Sequence, residues 1–331
     1  VLLVGVALLM MVMVIPMALP AYAQKGAPDP VRFATFNASL NRFNAGDLAT
    51  ELSTPGSAQP DTIAEIIQRT RPDVLLINEF DYDADGVAAQ GFQENYLSVA
   101  HGDAEPIIYP HRYVAPSNTG IDSGQDFNKN GIFGEPDDAF GFGFFPGQYG
   151  MAVYSMYPIV EEAIRTFQLF LWKDMPGAML PIDPDTGQSW YDEGDLAVFR
   201  LSSKSHWDVP ILIGGKTVHF LTSHPTPPVF DGEEDRNGTR NHDEIRFWAD
   251  YIIPSRSGYI YDDQGRTGGI IPGDPFVIAG DQNSDPIDGD SIPGSAQLLL
   301  DHPLVNTKVT PESEGGSEQA ALQGNANTLH I

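Results

Sequence analysis

Short apolar runs broken by turn residues dominate this chain, with a few segments of helical spacing between them. Val31–Phe36, Asp73–Asn78, Met151–Ser155, Val218–Ser223 and Phe276–Ala279 have the composition of buried strands. The pattern predicts strands at 31–37, 73–79, about 111–116, 150–155, 196–202, 209–213, 216–223 and 275–281. Helices are expected at about 60–70, where Ile63, Ile66 and Ile67 form a stripe, at about 240–253, and briefly at about 294–301. Gly214-Gly215 between two apolar runs marks a hairpin. Mixed strands and helices with an adjacent hairpin imply an α/β domain of two packed sheets flanked by helices.

Four of these strands stop at a side chain capable of chemistry. The first ends at Asn37, the second at Glu79, the seventh at His224, and the last runs through Gly280 into Asp281-Gln282-Asn283. In an extended chain, Asp281 and Asn283 face the same way. A carboxylate there can hold a metal or take a proton from water, and an amide can donate to an anionic oxygen without adding charge. Each strand end alone reads more readily as a polar turn than as a site. Arg200, Lys204 and His206 are candidate phosphate contacts or a solvated strand face.

Taken in order, Asn37, Glu79, His224, Asp281 and Asn283 resemble the motifs of the endonuclease/exonuclease/phosphatase family. That group includes deoxyribonuclease I, apurinic endonucleases, neutral sphingomyelinases and inositol-polyphosphate 5-phosphatases. The segment Gly150–Ile159 is similar to the family's central G-x-A-hydrophobic-hydrophobic-S-x-x-P-I strand, and the resemblance runs from about residue 31 to about residue 305. It implies a four-layer sandwich of two mixed β-sheets flanked by helices, and a metal-dependent phosphoesterase. One divalent cation, Mg²⁺ or Mn²⁺, would sit on Glu79 with help from Asn37. Asp281 would deprotonate water, and Asn283 would hold the phosphoryl group. His224 would donate to a non-bridging oxygen or assist the leaving group, its pKa supported by nearby carboxylates. The family pattern closes with Ser-Asp-His. Asp301-His302 has those letters but follows Asn283 too closely to leave room for the intervening strands. The expectation is therefore a domain over 31–309 lacking its C-terminal strands, then a flexible tail over 310–331.

At the other end, the aliphatic run Val1–Val14 and the small-x-small site Ala21-Tyr22-Ala23 read as a secretory signal peptide over 1–23 whose charged n-region is missing. A linker over 24–30 follows. The mature chain is expected to be secreted or periplasmic, monomeric and without a stable membrane anchor. Zero cysteines exclude disulfides, Cys-zinc sites and thiol nucleophiles. A net charge of −27, from 18 basic against 45 acidic residues, leaves no basic patch for nucleic acid. The charge favours a small or exposed phosphate ester, with a secreted nuclease as the other substrate branch.

Much of the acid sits in loops. Asp126, Asn128, Asn130 and Asp137 occupy positions 1, 3, 5 and 12 of an EF-hand-type loop with Gly131 at position 6, a candidate structural Ca²⁺ site. Asp81, Asp83 and Asp85 give only the first half of that pattern. A catalytically silent calcium-binding extracellular domain is the rival reading.

Overall fold

The computed structural model describes residues 30–287, 289–310 and 312–324. The expected signal peptide and all but the last residue of the linker lie outside them. The strands are β1 (Phe33–Leu40), β2 (Val74–Phe80), β3 (His111–Tyr113), β4 (Met151–Ser155), β5 (Arg165–Thr166), β6 (His206–Ile213), β7 (Lys216–Ser223) and β8 (Phe276–Ala279). The helices are α1 (Asp47–Leu52), α2 (Ala58–Thr70), α3 (Val87–Phe92), α4 (Glu193–Val198), α5 (Arg236–Tyr251), α6 (Gln297–Leu300) and α7 (Glu314–Gln323).

Two four-stranded mixed sheets result, in the orders β1-β2-β4-β3 and β5-β6-β7-β8. In the first, only β1 and β2 run parallel; in the second, only β7 and β8 do. Gly214 and Gly215 make the β6–β7 hairpin with φ of 58° and 79°, the pair of positive values that suits a two-residue turn.

Alternation along the strands separates the layers. Val74, Leu76 and Val153 point at Trp207, Val209 and Phe220, closing the two sheets on each other. Leu75, Ile77 and Tyr154 face the opposite way, onto a layer that includes Leu52, Ile67 and Phe92. The far side of the second sheet is covered by α5, through Phe247, Trp248 and Tyr251. Helices, sheet, sheet and helix form four layers, as the resemblance implied.

One expectation fails. The strand expected at 196–202 does not form: Glu193–Val198 is the helix α4, and Arg200 makes only an isolated bridge to Leu171. Asp192 accepts from the Asp195 backbone N–H at 2.9 Å, and Asp195 accepts from that of Asp192 at 3.1 Å, a reciprocal cap that starts a helix before the apolar run. Beyond residue 309, Glu314–Gln323 forms α7, whose N-cap Ser313 hydroxyl accepts from Gly316 N at 2.9 Å; Ala320 is its one buried residue.

Two residues are fixed tightly by this packing. His206, wholly buried under Phe247 and Trp248, accepts at Nδ1 from the Ser202 hydroxyl (2.7 Å) and donates from Nε2 to the Glu244 carbonyl (2.9 Å). Burial pushes its pKa down to about 4. Gly280, at the end of β8, has φ 154°, and a Cβ there would meet the Ser223 carbonyl oxygen at 1.9 Å. No side chain fits.

Because His206 is neutral when folded, its stabilising share is complete above its unfolded pKa near 6.5 and is lost as pH falls towards 4. That share is about 3 kcal/mol, from about 1.4 kcal/mol per pKa unit. Urea unfolding at stepped pH is expected to show this loss, and H206Q to flatten it. G280A is expected to destabilise by at least about 1–3 kcal/mol. G258A, where a Cβ meets nothing within 4 Å, should be near neutral in the same titration.

Candidate active site

Each sheet contributes one parallel pair, and parallel strands end on the same side. Asn37 on β1 and Glu79 on β2 are thus delivered to one rim, and His224 after β7 and Asp281 after β8 to another. Face-to-face packing brings the two rims together. The expected end of β1 at Asn37 is in fact a break in register between Asn37 and Leu40, with Ser39 at φ 49°. Such a bulge re-aims the side chains beside it. Glu79 is left-handed too, at φ 57°, and so is Asn283, at 48°.

The side chains converge as follows. Asn37 Nδ2 donates to Glu79 Oε1 and to Asp281 Oδ2, both at 3.0 Å. Glu79 Oε2 accepts from Asn41 Nδ2 at 2.9 Å and from the Ser39 hydroxyl at 3.4 Å. His224 Nε2 lies 3.8 Å from Asp281 Oδ2. Asp281 Oδ1 accepts the Asn283 backbone N–H at 3.1 Å, and Asn283 Nδ2 donates to the Pro225 carbonyl at 3.1 Å. All five residues read from strand ends therefore form one constellation.

Electrostatics revise one expectation. His224 is 3% exposed, its Nδ1 has no partner, and 3.8 Å is too long for a hydrogen bond to Asp281. Burial first, then the neighbouring Lys204 cation, hold its pKa well below 6.5. The expected support from carboxylates is outweighed by lost hydration, and His224 stands as a neutral imidazole. Beside Glu79, buried Asp81 accepts the backbone N–H groups of Arg42 (2.7 Å) and Tyr149 (3.0 Å). Its pKa is still pushed up to about 6 by burial.

The site opens into a cavity of about 520 Å³ whose walls include Glu79, His224 and Asn283, with Phe142, Tyr149 and Phe230 on the apolar side. Three cationic side chains reach it: Lys204, Arg236 and Arg240. The solvated-face reading fails here, since Lys204 is 8% exposed and His206 fully buried. Glu244, on α5, accounts for this. One of its carboxylate oxygens accepts Ser203 N and the other Thr226 N, both at 2.6 Å, clamping the loops that carry Lys204 and His224. Asn41 and Glu244 were not singled out by sequence, and Lys204 only as a phosphate contact or a solvated face; Asn41 lies past the strand end where the pattern stops.

The calcium-type loops are closed by their own backbone. Asp126 accepts from Asn130 N (3.1 Å) and Gly131 N (2.8 Å), Asn128 from Asn130 N (3.1 Å), and Asn130 from Ile132 N (2.7 Å). Asp137 lines the cavity. Asp83 caps α3 through Val87 N and Ala88 N. Among the described residues, no group of three or more His, Asp or Glu is placed to hold a metal. At the strand rim the hard oxygen donors are Glu79, Asp281 and amide oxygens. This set fits a cation such as Mg²⁺, which binds through one or two carboxylates and keeps several waters.

Several solved structures share similarity with this chain at low identity. Sphingomyelinase C from Streptomyces griseocarneus is 16% identical, over 84% of this chain and 71% of that one, with a TM-score of 0.39. A variant of beta toxin from Staphylococcus aureus with bound magnesium ions is 15% identical, over 83% and 71%, with a TM-score of 0.42. Truncated Caenorhabditis elegans TDP2 is 14% identical, over 88% and 71%, with a TM-score of 0.35. No curated protein matches the chain. The sequence model described as Endonuclease/Exonuclease/phosphatase family matches residues 34–328. Spanning nearly all of the described residues, that match makes the chain a member of the Endonuclease/Exonuclease/phosphatase family.

Proposed function

We propose that this chain is an exported, divalent-metal-dependent phosphoesterase that hydrolyses a small phosphate ester by direct attack of water. The observation that carries the reading is the Asn37 amide joining Glu79 of one sheet to Asp281 of the other at 3.0 Å each, with His224 and Asn283 beside them. Phosphoester hydrolysis is the chemistry the family implies. Export is supported by the sequence of residues 1–23 alone.

Glu79, assisted by Asn37, would hold Mg²⁺ or Mn²⁺. When bound, such a cation neutralises charge on a phosphoryl oxygen. Asp281 then orients a water molecule and takes its proton. Its Oδ2 is steadied by Asn37 and its Oδ1 by Asn283 N. Asn283 Nδ2 spends one N–H on Pro225 and keeps the other for a phosphoryl oxygen. His224, neutral, donates through one ring nitrogen rather than acting as a cation.

With Mg²⁺, bis-p-nitrophenyl phosphate or p-nitrophenyl phosphate is expected to release p-nitrophenol. EDTA should abolish the signal, and D281A should lower kcat by about 10²–10⁴-fold. Turnover that survives either change, or a folded wild-type chain inert on both esters, overturns the reading. Diester turnover would assign a phosphodiesterase, monoester turnover a phosphatase. Mass spectrometry of the exported protein is expected to find Gln24 at its N-terminus, and a retained Val1–Ala23 segment would refute cleavage there.

A further inference from the structure

Of the three cationic side chains at the cavity, two are already engaged. Arg240 donates to the carbonyls of Leu201, Phe140 and Arg200 and lies over the Phe199 ring at 4.8 Å. Arg236 pairs with Glu234. Lys204 differs. It is 8% exposed, it lines the cavity beside Glu79, His224 and Asn283, and its Nζ makes no hydrogen bond or ion pair among the described residues. It is nevertheless held in place. Its carbonyl accepts Asn118 N at 2.8 Å, and Glu244 fixes the neighbouring Ser203 N.

A buried ammonium without hydrogen-bond partners is costly, because lost hydration is not replaced. Burial, joined by the neighbouring Arg240 cation, pushes its pKa down to about 8, and the charges of Glu244, Glu79 and Asp281 oppose that fall through space. An ammonium carries three donor hydrogens, and none of them is met by a partner among the described residues. This is the arrangement expected of a group whose partner is the ligand.

We propose that Lys204 is a further catalytic residue, donating to a non-bridging oxygen of the phosphoryl group that Asp281 and Asn283 address. The assignment rests on the phosphoesterase reading. The choice of oxygen follows from position. In an in-line displacement the leaving oxygen lies opposite the attacking water. Lys204 lines the cavity together with Glu79 and Asn283, the residues assigned to the cation and to the phosphoryl group, which places it at that group's equatorial oxygens and not behind the leaving group. A fixed cation there gains strength as charge accumulates on those oxygens, and adds no step of its own.

The test uses the full chain with Mg²⁺ and two readouts. Inorganic phosphate binding, followed by calorimetry, needs no turnover. K204M is expected to weaken it by about ten- to a hundredfold, the worth of one charge-assisted hydrogen bond. On aryl phosphate esters of graded leaving-group pKa, K204M should lower kcat/KM by about 10²–10³-fold. The loss should be equal across the series, leaving the dependence on leaving group unchanged. A steeper dependence would place Lys204 at the leaving oxygen and overturn the assignment. So would unaltered phosphate affinity and turnover. Thermal unfolding separates these outcomes from collapse of the clamp. Because the chain contains no cysteine, K204C carries its only thiol. Alkylating that sulfur with 2-bromoethylamine, bromide leaving, rebuilds an ammonium of matching reach. Recovery of both readouts is expected, and a folded, alkylated chain that stays deficient in both refutes the proposal. A wild-type chain that binds phosphate through Lys204 but turns over no ester would retain the anion contact and refute the phosphoesterase reading instead.

Discussion

Two carboxylates of like charge, Glu79 and Asp281, are held to a single amide nitrogen across the junction of two sheets, and the rest of the molecule is arranged around that contact. Asn37 and Asp281 are 244 residues apart in sequence. They meet because each sheet contains one parallel pair, so that β1 with β2 and β7 with β8 end at neighbouring rims. The apolar faces of both sheets then fix how far apart those rims stand. Asn78, fully buried, lies one residue before Glu79, and its amide reaches the Ser223 carbonyl at 3.5 Å, one residue before His224. At Gly280 the backbone of β8 passes so close to Ser223 that only hydrogen is accommodated. A larger residue there would move Asp281 away from the amide that shares it.

Backbone strain is concentrated at the same place. Among the described residues, eight other than glycine have positive φ, and five of them, Ser39, Glu79, Tyr149, Phe230 and Asn283, touch the constellation or line its cavity. Such conformations cost of order 1–3 kcal/mol each and persist only where packing over-determines them. Here the four-layer core supplies that constraint. Leu76 and Ile77, just before Glu79, are wholly buried on opposite faces of β2, so the strand end cannot relax without opening two layers at once.

This division explains what could be read from the chain. Strand ends are legible because burial demands an apolar run and chemistry demands that it stop, as at Ile77-Asn78-Glu79 and Ala279-Gly280-Asp281. Lys204 was not legible as buried, since Ser202–His206 is a polar run that resembles a solvated surface. The loop that carries it is clamped by Glu244, forty residues on, and no local pattern encodes that partner. The segment at 196–202 misled for the opposite reason. Its apolar residues suit a strand, but two aspartates three apart cap a helix first. Likewise, EF-hand-type spacing in Asp126–Gly131 describes a tight polar loop equally well with or without an ion, because its side chains accept from the loop's own amides. Spacing conveys the turn, and only the partners distinguish its purpose.

The charge distribution completes the argument about what can enter. A net charge of −27 repels a polyanion over its whole length, and the phosphates beyond the scissile one would find no basic surface to offset that repulsion. Inside the cavity the balance is reversed locally, because Lys204, Arg236 and Arg240 gather there out of only 18 basic residues in the chain. Two of the three are committed to protein partners, so the attraction that these side chains offer a ligand is focused on one ammonium. Low dielectric walls, with Phe142, Tyr149 and Phe230 among them, strengthen that attraction. The aromatic surface beside it favours an ester whose organic part is compact and partly apolar. These are the grounds on which a small phosphate ester, and not a duplex, is the substrate proposed.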